Sequence, residues 1–207
     1  MITALSAVFV YGLTGGLAPG PLMTLVITQT LRHGAREGVK TSLAPLITDG
    51  PIIALLLIFL DRIAAIRPLL GGIAVAGVAF LLYLAWESWN APPPSATATG
   101  AAPRSIVRGA LVNFLNPSPY LFWLTVGTPM LVKAWKHSAI AAALFIVVFF
   151  VCLVGSKILL ATILARSREH VLGRWYKPVM RTLAALLVVF AAIVARDAIA
   201  LLTSPAA

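Results

Sequence analysis

The chain has 207 residues, 60% of them hydrophobic and 11% charged, with a mean hydropathy of +0.99. Soluble proteins carry about 25% charged residues. A chain this short cannot hide so much apolar surface from water, so the surplus must face lipid; a soluble enzyme, a disordered regulator and a secreted disulfide scaffold are excluded.

The net charge of +10 comes from 16 Lys and Arg against 6 Asp and Glu. The basic residues stand in short clusters between apolar runs, as in membrane proteins that fix their orientation by loop charge, and not in a surface that would grip nucleic acid. Cys152 is the single cysteine, so an intramolecular disulfide and a Cys-rich metal site are both out of reach. The first ten residues lack Lys and Arg, which argues against a cleaved signal peptide.

A hydrocarbon core about 30 Å thick takes about 20 helical residues to cross. Six stretches qualify in chain order. They are Ile2 to Leu31, Thr41 to Leu60, Pro68 to Trp86, Gly109 to Val132, Ser138 to Ala165 and Thr182 to Thr203. The loops after the first, third and fifth stretches hold Arg32, Arg36, Lys40, Arg104, Arg108, Arg166, Arg168, Arg174, Lys177 and Arg181. The opposite side holds Arg62, Arg67, Lys133 and Lys136. This ten-to-four bias predicts a multi-pass protein with those three loops in the cytoplasm and both termini outside. Trp86, Trp89, Trp135, Trp175 and Tyr176 fall near the expected helix ends, where amphipathic rings anchor at the headgroups.

Residues 90 to 103 read NAPPPSATATGAAP, an extended or flexible linker. The linker (91–103) separates a first three-helix unit, 1–90, from a second, 104–207. Three is odd, so the second unit enters the membrane from the opposite side and related halves would form an inverted repeat. The first stretch carries Pro19-Gly20-Pro21 and the fourth Pro117-Ser118-Pro119. Proline lacks an amide donor and clashes with the carbonyl four residues back. The carbonyls affected are those of Gly15, Leu17, Asn113 and Leu115. Free carbonyls at membrane depth are tolerated only in a protein-lined or watered cavity. Two helices interrupted at matching places, flanked by Gly15, Gly16 and Gly20 or by Asn113 and Asn116, point to a transport site.

These motifs carry a family resemblance. Gly16 to Pro21, GLAPGP, resembles the Pro-Gly-Pro signature in the first helix of the lysine exporter and homoserine/threonine exporter (LysE/RhtB) family. Gln29 to Gly34, QTLRHG, with Gly38 beyond it, resembles that family's first cytoplasmic loop. Gly77 to Trp86 is similar to its third helix, and Asn113-Phe114-Leu115-Asn116-Pro117 to its Asn-Pro signature. The resemblance implies a six-helix inner-membrane exporter of amino acids or related small metabolites, driven by the proton gradient. Two positions depart from the pattern. Ala44 to Asp49, APLITD, keeps the acid of the second helix but not its glycines, and Ser118 stands where the family often has lysine.

Asp49 lies nine residues past Lys40, about 13 Å into the membrane at the helical rise. An acid there costs about 2.5–3.5 kcal/mol on insertion scales, so it should face the interior. Low-dielectric surroundings favour a protonated carboxyl, which suits a group that takes up and releases a proton in each cycle. It could equally hold a substrate ammonium. Pro51 frees the carbonyl of Ile47 beside it, and Thr48 adds a hydroxyl. Lys157 lies about 28 Å along its helix, where it is expected to snorkel to the cytoplasmic interface; pairing with Asp49 or with a substrate carboxylate is the alternative. Arg196 and Asp197 project about 100° apart and are not expected to face each other. Gly71, Gly72, Ala74, Ala76 and Gly77 give the third helix a small-residue face for packing within or between subunits. His33, His137 and His170 are expected to be solvated.

The leading reading is therefore a secondary exporter in which solute sits between the two interrupted helices, with Thr14, Thr24, Thr28, Asn113, Asn116, Ser118 and Tyr120 as candidate neighbours. It needs a small-molecule substrate, protons and the bilayer, and no cofactor. A thiol–disulfide carrier needs two cysteines. An intramembrane enzyme would be expected to carry a His-Glu metal motif or a Gly-x-Ser-x-Gly elbow, neither of which is found. A metal-ion exporter would want several membrane acids or histidines, and Asp49 alone is central.

Overall fold

The computed structural model describes residues 2–58, 63–91, 104–167 and 175–203. Most of the expected linker, with Arg62, Arg168, His170 and Arg174, lies outside the described residues. Every regular element among those described is helical: α1 Ile2–Leu17, α2 Pro21–His33, α3 Ala35–Ser42, α4 Ala44–Ile58, α5 Ile63–Trp89, α6 Ser105–Phe114, α7 Pro117–Phe122, a π-helical turn Trp123–Gly127, α8 Thr128–His137, α9 Ala139–Arg166 and α10 Tyr176–Thr203.

Among the described residues, four segments are long and apolar enough to cross a membrane. They are Ala35–Ile58 (α3 with α4), Pro68–Trp89, Ala139–Arg166 and Tyr176–Thr203. The pair Ser6–Leu17 and Pro21–His33 passes as a fifth if its 56° bend is one broken span. The expected fourth span, Gly109 to Val132, is instead a run of short helices. Pro117, lacking an amide hydrogen, opens α7, and the π turn adds a second irregularity within two turns.

Both interruptions follow from proline chemistry. Proline is accommodated at the first helical position, where its missing N–H costs nothing. Pro21 opens α2 after the extended Gly20, and Pro117 opens α7 after the extended Asn116. The helix-starting residues are thus the second proline of one motif and the first of the other, so the two Pro-x-Pro motifs are offset by two residues. Gly34, at φ 93°, turns the chain from α2 into α3, a backbone region that glycine enters without steric cost.

Helix α5 packs along α10, and α1 packs along α9. Close approach explains glycines in both places. A Cβ on Gly12 would stand 2.7 Å from the Phe149 carbonyl and 2.8 Å from the Cys152 Cβ, so α1 lies with its backbone directly against α9. On the small-residue face of α5, Gly71 meets Leu202, Ala74 is buried, and Gly77 meets the Leu115 carbonyl. That face packs within the chain, whereas Gly72 and Ala76 are exposed on another side.

Two expectations about helix ends are corrected. Tyr176 starts α10 but does not face outwards: it is 1% exposed and packs with Leu31, Met180 and Leu183. Trp86, Trp89, Trp135 and Trp175 are exposed. Arg196 and Asp197 do meet, at 3.4 Å, because the long guanidinium reaches around the helix that separates their Cβ directions. His33 and His137 are exposed.

Where α2, α5 and α6 come together, Glu87 accepts from Arg32 at 2.9 Å and from Arg108 at 2.9 and 2.7 Å. Nearby, Ser105 of α6 donates to Gln29 of α2 at 3.2 Å. These contacts fasten α6 to α2 and α5 at that end of the molecule.

Candidate functional site

The two helix breaks open onto one cavity of about 420 Å³. From the first break it is lined by Gly15, Pro19, Gly20 and Pro21, and from the second by Asn113, Asn116, Ser118 and Pro119. Asp49 of α4 and Lys157 of α9 also reach it. Most of the remaining wall is apolar, with Phe122, Trp123, Phe149, Leu153, Phe190 and Ile193 among its members.

Asp49 is 3% exposed and is held by three donors. Asn113 Nδ2 donates to Oδ1 at 2.8 Å, Trp123 Nε1 to Oδ2 at 3.1 Å, and Thr48 Oγ1 to Oδ1 at 3.4 Å. Asn113 Nδ2 also donates to Thr48 Oγ1 at 2.6 Å, and the single proton of that hydroxyl is shared between Asp49 Oδ1 and the Ala44 carbonyl, the latter at 3.1 Å. A buried carboxylate must be hydrogen-bonded to be tolerated, and this one is bound from α6 and from the π turn together.

Lys157 does not snorkel. It is 4% exposed, and its Nζ donates to the Gly15 carbonyl at 3.1 Å and to the Gly16 carbonyl at 2.8 Å. The cause lies in the first break. The Gly15 carbonyl would bond the amide of Pro19, which has no hydrogen, and the Gly16 carbonyl would bond Gly20, which has left the helix. The Gly16 carbonyl is buried and must be paired, the Gly15 carbonyl beside it is part-buried, and an ammonium group suits the negative end of a helix. Nor does Lys157 form an ion pair with Asp49; among the described residues the ion pairs are Arg32–Glu87, Lys40–Glu37, Arg108–Glu87 and Arg196–Asp197.

The second break is closed differently. Tyr120 Oη donates to the Phe114 carbonyl at 2.9 Å, and the Ser118 amide donates to Asn116 Oδ1 at 3.1 Å. The Asn113 carbonyl accepts from the Asn116 amide at 3.4 Å.

Most residues singled out from sequence therefore converge here, and a few do not. Thr48 stands behind Asp49, and Pro117 is buried at the start of α7. Gly16 contributes its carbonyl while its Cα packs against α9. The hydroxyls of Thr14, Thr24 and Thr28 donate to carbonyls of their own chain segment, those of Val10, Gly20 and Thr24. They fall outside the cavity lining. Trp123 was not foreseen. Its signal was an indole N–H in the middle of an apolar run, a donor that needs an acceptor when buried.

Helices broken at proline inside apolar segments, with a carboxylate and an ammonium buried between them, point to a membrane transport protein. The family model for the LysE type translocator matches residues 13–198, and the chain belongs to that family. The expected resemblance holds over most of the chain. No curated protein and no solved structure matches it. Membership makes this a multi-pass membrane protein of a family of transporters that move small solutes and contact lipid.

Proposed function

We propose that the protein is a secondary exporter of an amino acid or close derivative across the inner (plasma) membrane, in exchange for protons. The observation that carries the reading is the cavity in which both helix breaks meet Asp49 and Lys157. An amino acid presents an ammonium and a carboxylate, and the cavity holds a buried partner for each. Asp49 serves by turns as the proton site and as the partner of the ammonium. One carboxylate that accepts either cation, but not both, couples the two flows by competition. A divalent metal ion would need several oxygen ligands, and among the described residues no three His, Cys, Asp or Glu side chains group together.

In the proposed architecture the chain spans the membrane six times as two inverted three-helix repeats, 1–90 and 104–207, joined by a cytoplasmic linker. The packing supports this. Exchange of the halves would turn α1 on α9 into α6 on α4, and both pairs are in contact. It would leave α5 on α10 as it is, and that pair is the most extensive. Both termini lie outside, on the bias of Lys and Arg. In whole cells of a Cys152→Ser background, an impermeant thiol reagent should label a cysteine at position 204 and spare one at position 95. The reverse pattern would invert the topology. Copies of the chain associate through the side of α5 on which Gly72 and Ala76 remain exposed; cross-linking of the purified protein at several concentrations tests this, and a monomer throughout refutes it.

Asp49→Asn tests the chemistry. It keeps the shape and most hydrogen-bonding reach but cannot change charge. The variant should insert and fold, because a neutral side chain costs less at that depth. Export against a gradient should vanish, and solute binding should weaken with it. Binding at full strength with export lost would leave Asp49 as a proton carrier only. Export at the normal rate with the normal pH dependence would remove both roles.

A further inference from the structure

The charges that line the cavity can be counted against those of each amino-acid class. Among the lining residues Asp49 is the single acid and Lys157 the single base. Lys157 has three N–H donors and spends two on Gly15 and Gly16, which leaves one for a carboxylate. Asp49 accepts once through Oδ2, from Trp123, and a carboxylate oxygen has room for a further donor.

A zwitterion with an uncharged side chain matches this set one for one. Lysine or arginine would bring a second cation with no second acid to meet it. Glutamate would bring a second anion with no second base. A charge left unpaired against a largely apolar wall is costly, so the cavity discriminates by what it lacks. The rest of the wall discriminates further. Phe122, Phe149, Leu153, Phe190 and Ile193 make most of it apolar, with polar groups at Tyr11, Asn116 and Ser118. Against the apolar part a hydroxyl or amide would give up water without gaining a partner.

We infer that the cavity selects amino acids with a bulky apolar side chain, the ammonium bound at Asp49 and the carboxylate at Lys157. The inference rests on the reading of this chain as an amino-acid exporter and adds to it the selectivity.

The test uses the purified full-length chain in proteoliposomes loaded with radiolabelled leucine, phenylalanine, serine, lysine and glutamate, one at a time, under an imposed proton gradient. Leucine and phenylalanine should cross at least about tenfold faster than the other three, the discrimination that apolar contacts and unpaired charges supply. If serine, lysine or glutamate crosses as fast or faster, the selectivity is overturned and the exporter reading stands. If none of the five crosses, both are overturned. Phe190→Ala provides a second readout. Phe190 is partly buried at the edge of a core cluster, and its truncation should lower the preference for phenylalanine over alanine by about tenfold in competition. An unchanged preference in a folded variant would refute the assignment of that wall.

Discussion

The two helix breaks are built from similar sequences and stabilised by different means. After α1, the chain leaves carbonyls at Gly15 and Gly16 that are capped by Lys157, more than 140 positions away in α9. After α6, the Phe114 carbonyl is capped by Tyr120, six positions on, and the new helix is capped by Asn116 at its own start. The first break depends on a tertiary contact with a charge; the second is a local turn that carries its own caps. A proline motif therefore specifies where a helix stops, and the surroundings decide what the loose backbone groups become. In the first break they become part of the site's electrostatics. In the second they are silenced by neutral donors, leaving Asn113 free to serve Asp49.

Substitution of the caps should separate the two breaks. The largest effect belongs to Lys157→Met, which leaves the buried Gly16 carbonyl and the part-buried Gly15 carbonyl without donors. A buried group left so costs about 1–3 kcal/mol, so thermal unfolding in detergent should occur at clearly lower temperature, and transport should be lost. Lys157→Arg keeps charge and donors and should recover part of both. A methionine variant with normal stability and transport would mean that the first break needs no cap. Tyr120→Phe removes one neutral donor and should cost about 1 kcal/mol, with transport retained. Loss of transport from this change would place Tyr120 in the site itself and blur the contrast. The smallest effect is expected for Asn116→Ala, about 1 kcal/mol or less from the loss of an N-cap, read as a small shift in the unfolding midpoint.

The sequence was most informative where a single residue type has few options. Apolar runs predicted helices, prolines predicted their interruptions, and an acid within an apolar run predicted a buried carboxylate. Asp49, Pro21, Pro117 and Asn113 could be read in this way. Lys157 could not, because a lysine near a helix end reaches either the interface or the interior by rotation of one helix. The clue was on α1: Gly12 and Gly16, four apart, bring its backbone against α9, and Lys157 lies on the face that this contact encloses. Tyr176 illustrates the same limit, since a tyrosine at a helix end has one sequence signature whether it faces lipid headgroups or a core. The acceptor for Trp123 lies 74 positions away, in another unit, and no local pattern records it.

The glycine-mediated contact between α1 and α9 also fixes which helices carry the charges of the cavity. Lys157 and the carbonyls that it caps belong to that closely packed pair. Asp49 is tied by hydrogen bonds to α6 and to the π turn. The base and the acid thus stand on different helices, joined through Trp123, which donates to Asp49 and packs its ring on Phe149 of α9. On the proposed exporter reading, a solute held between Asp49 and Lys157 would tie the two helix pairs together, and protonation of the carboxyl would release one of its ends.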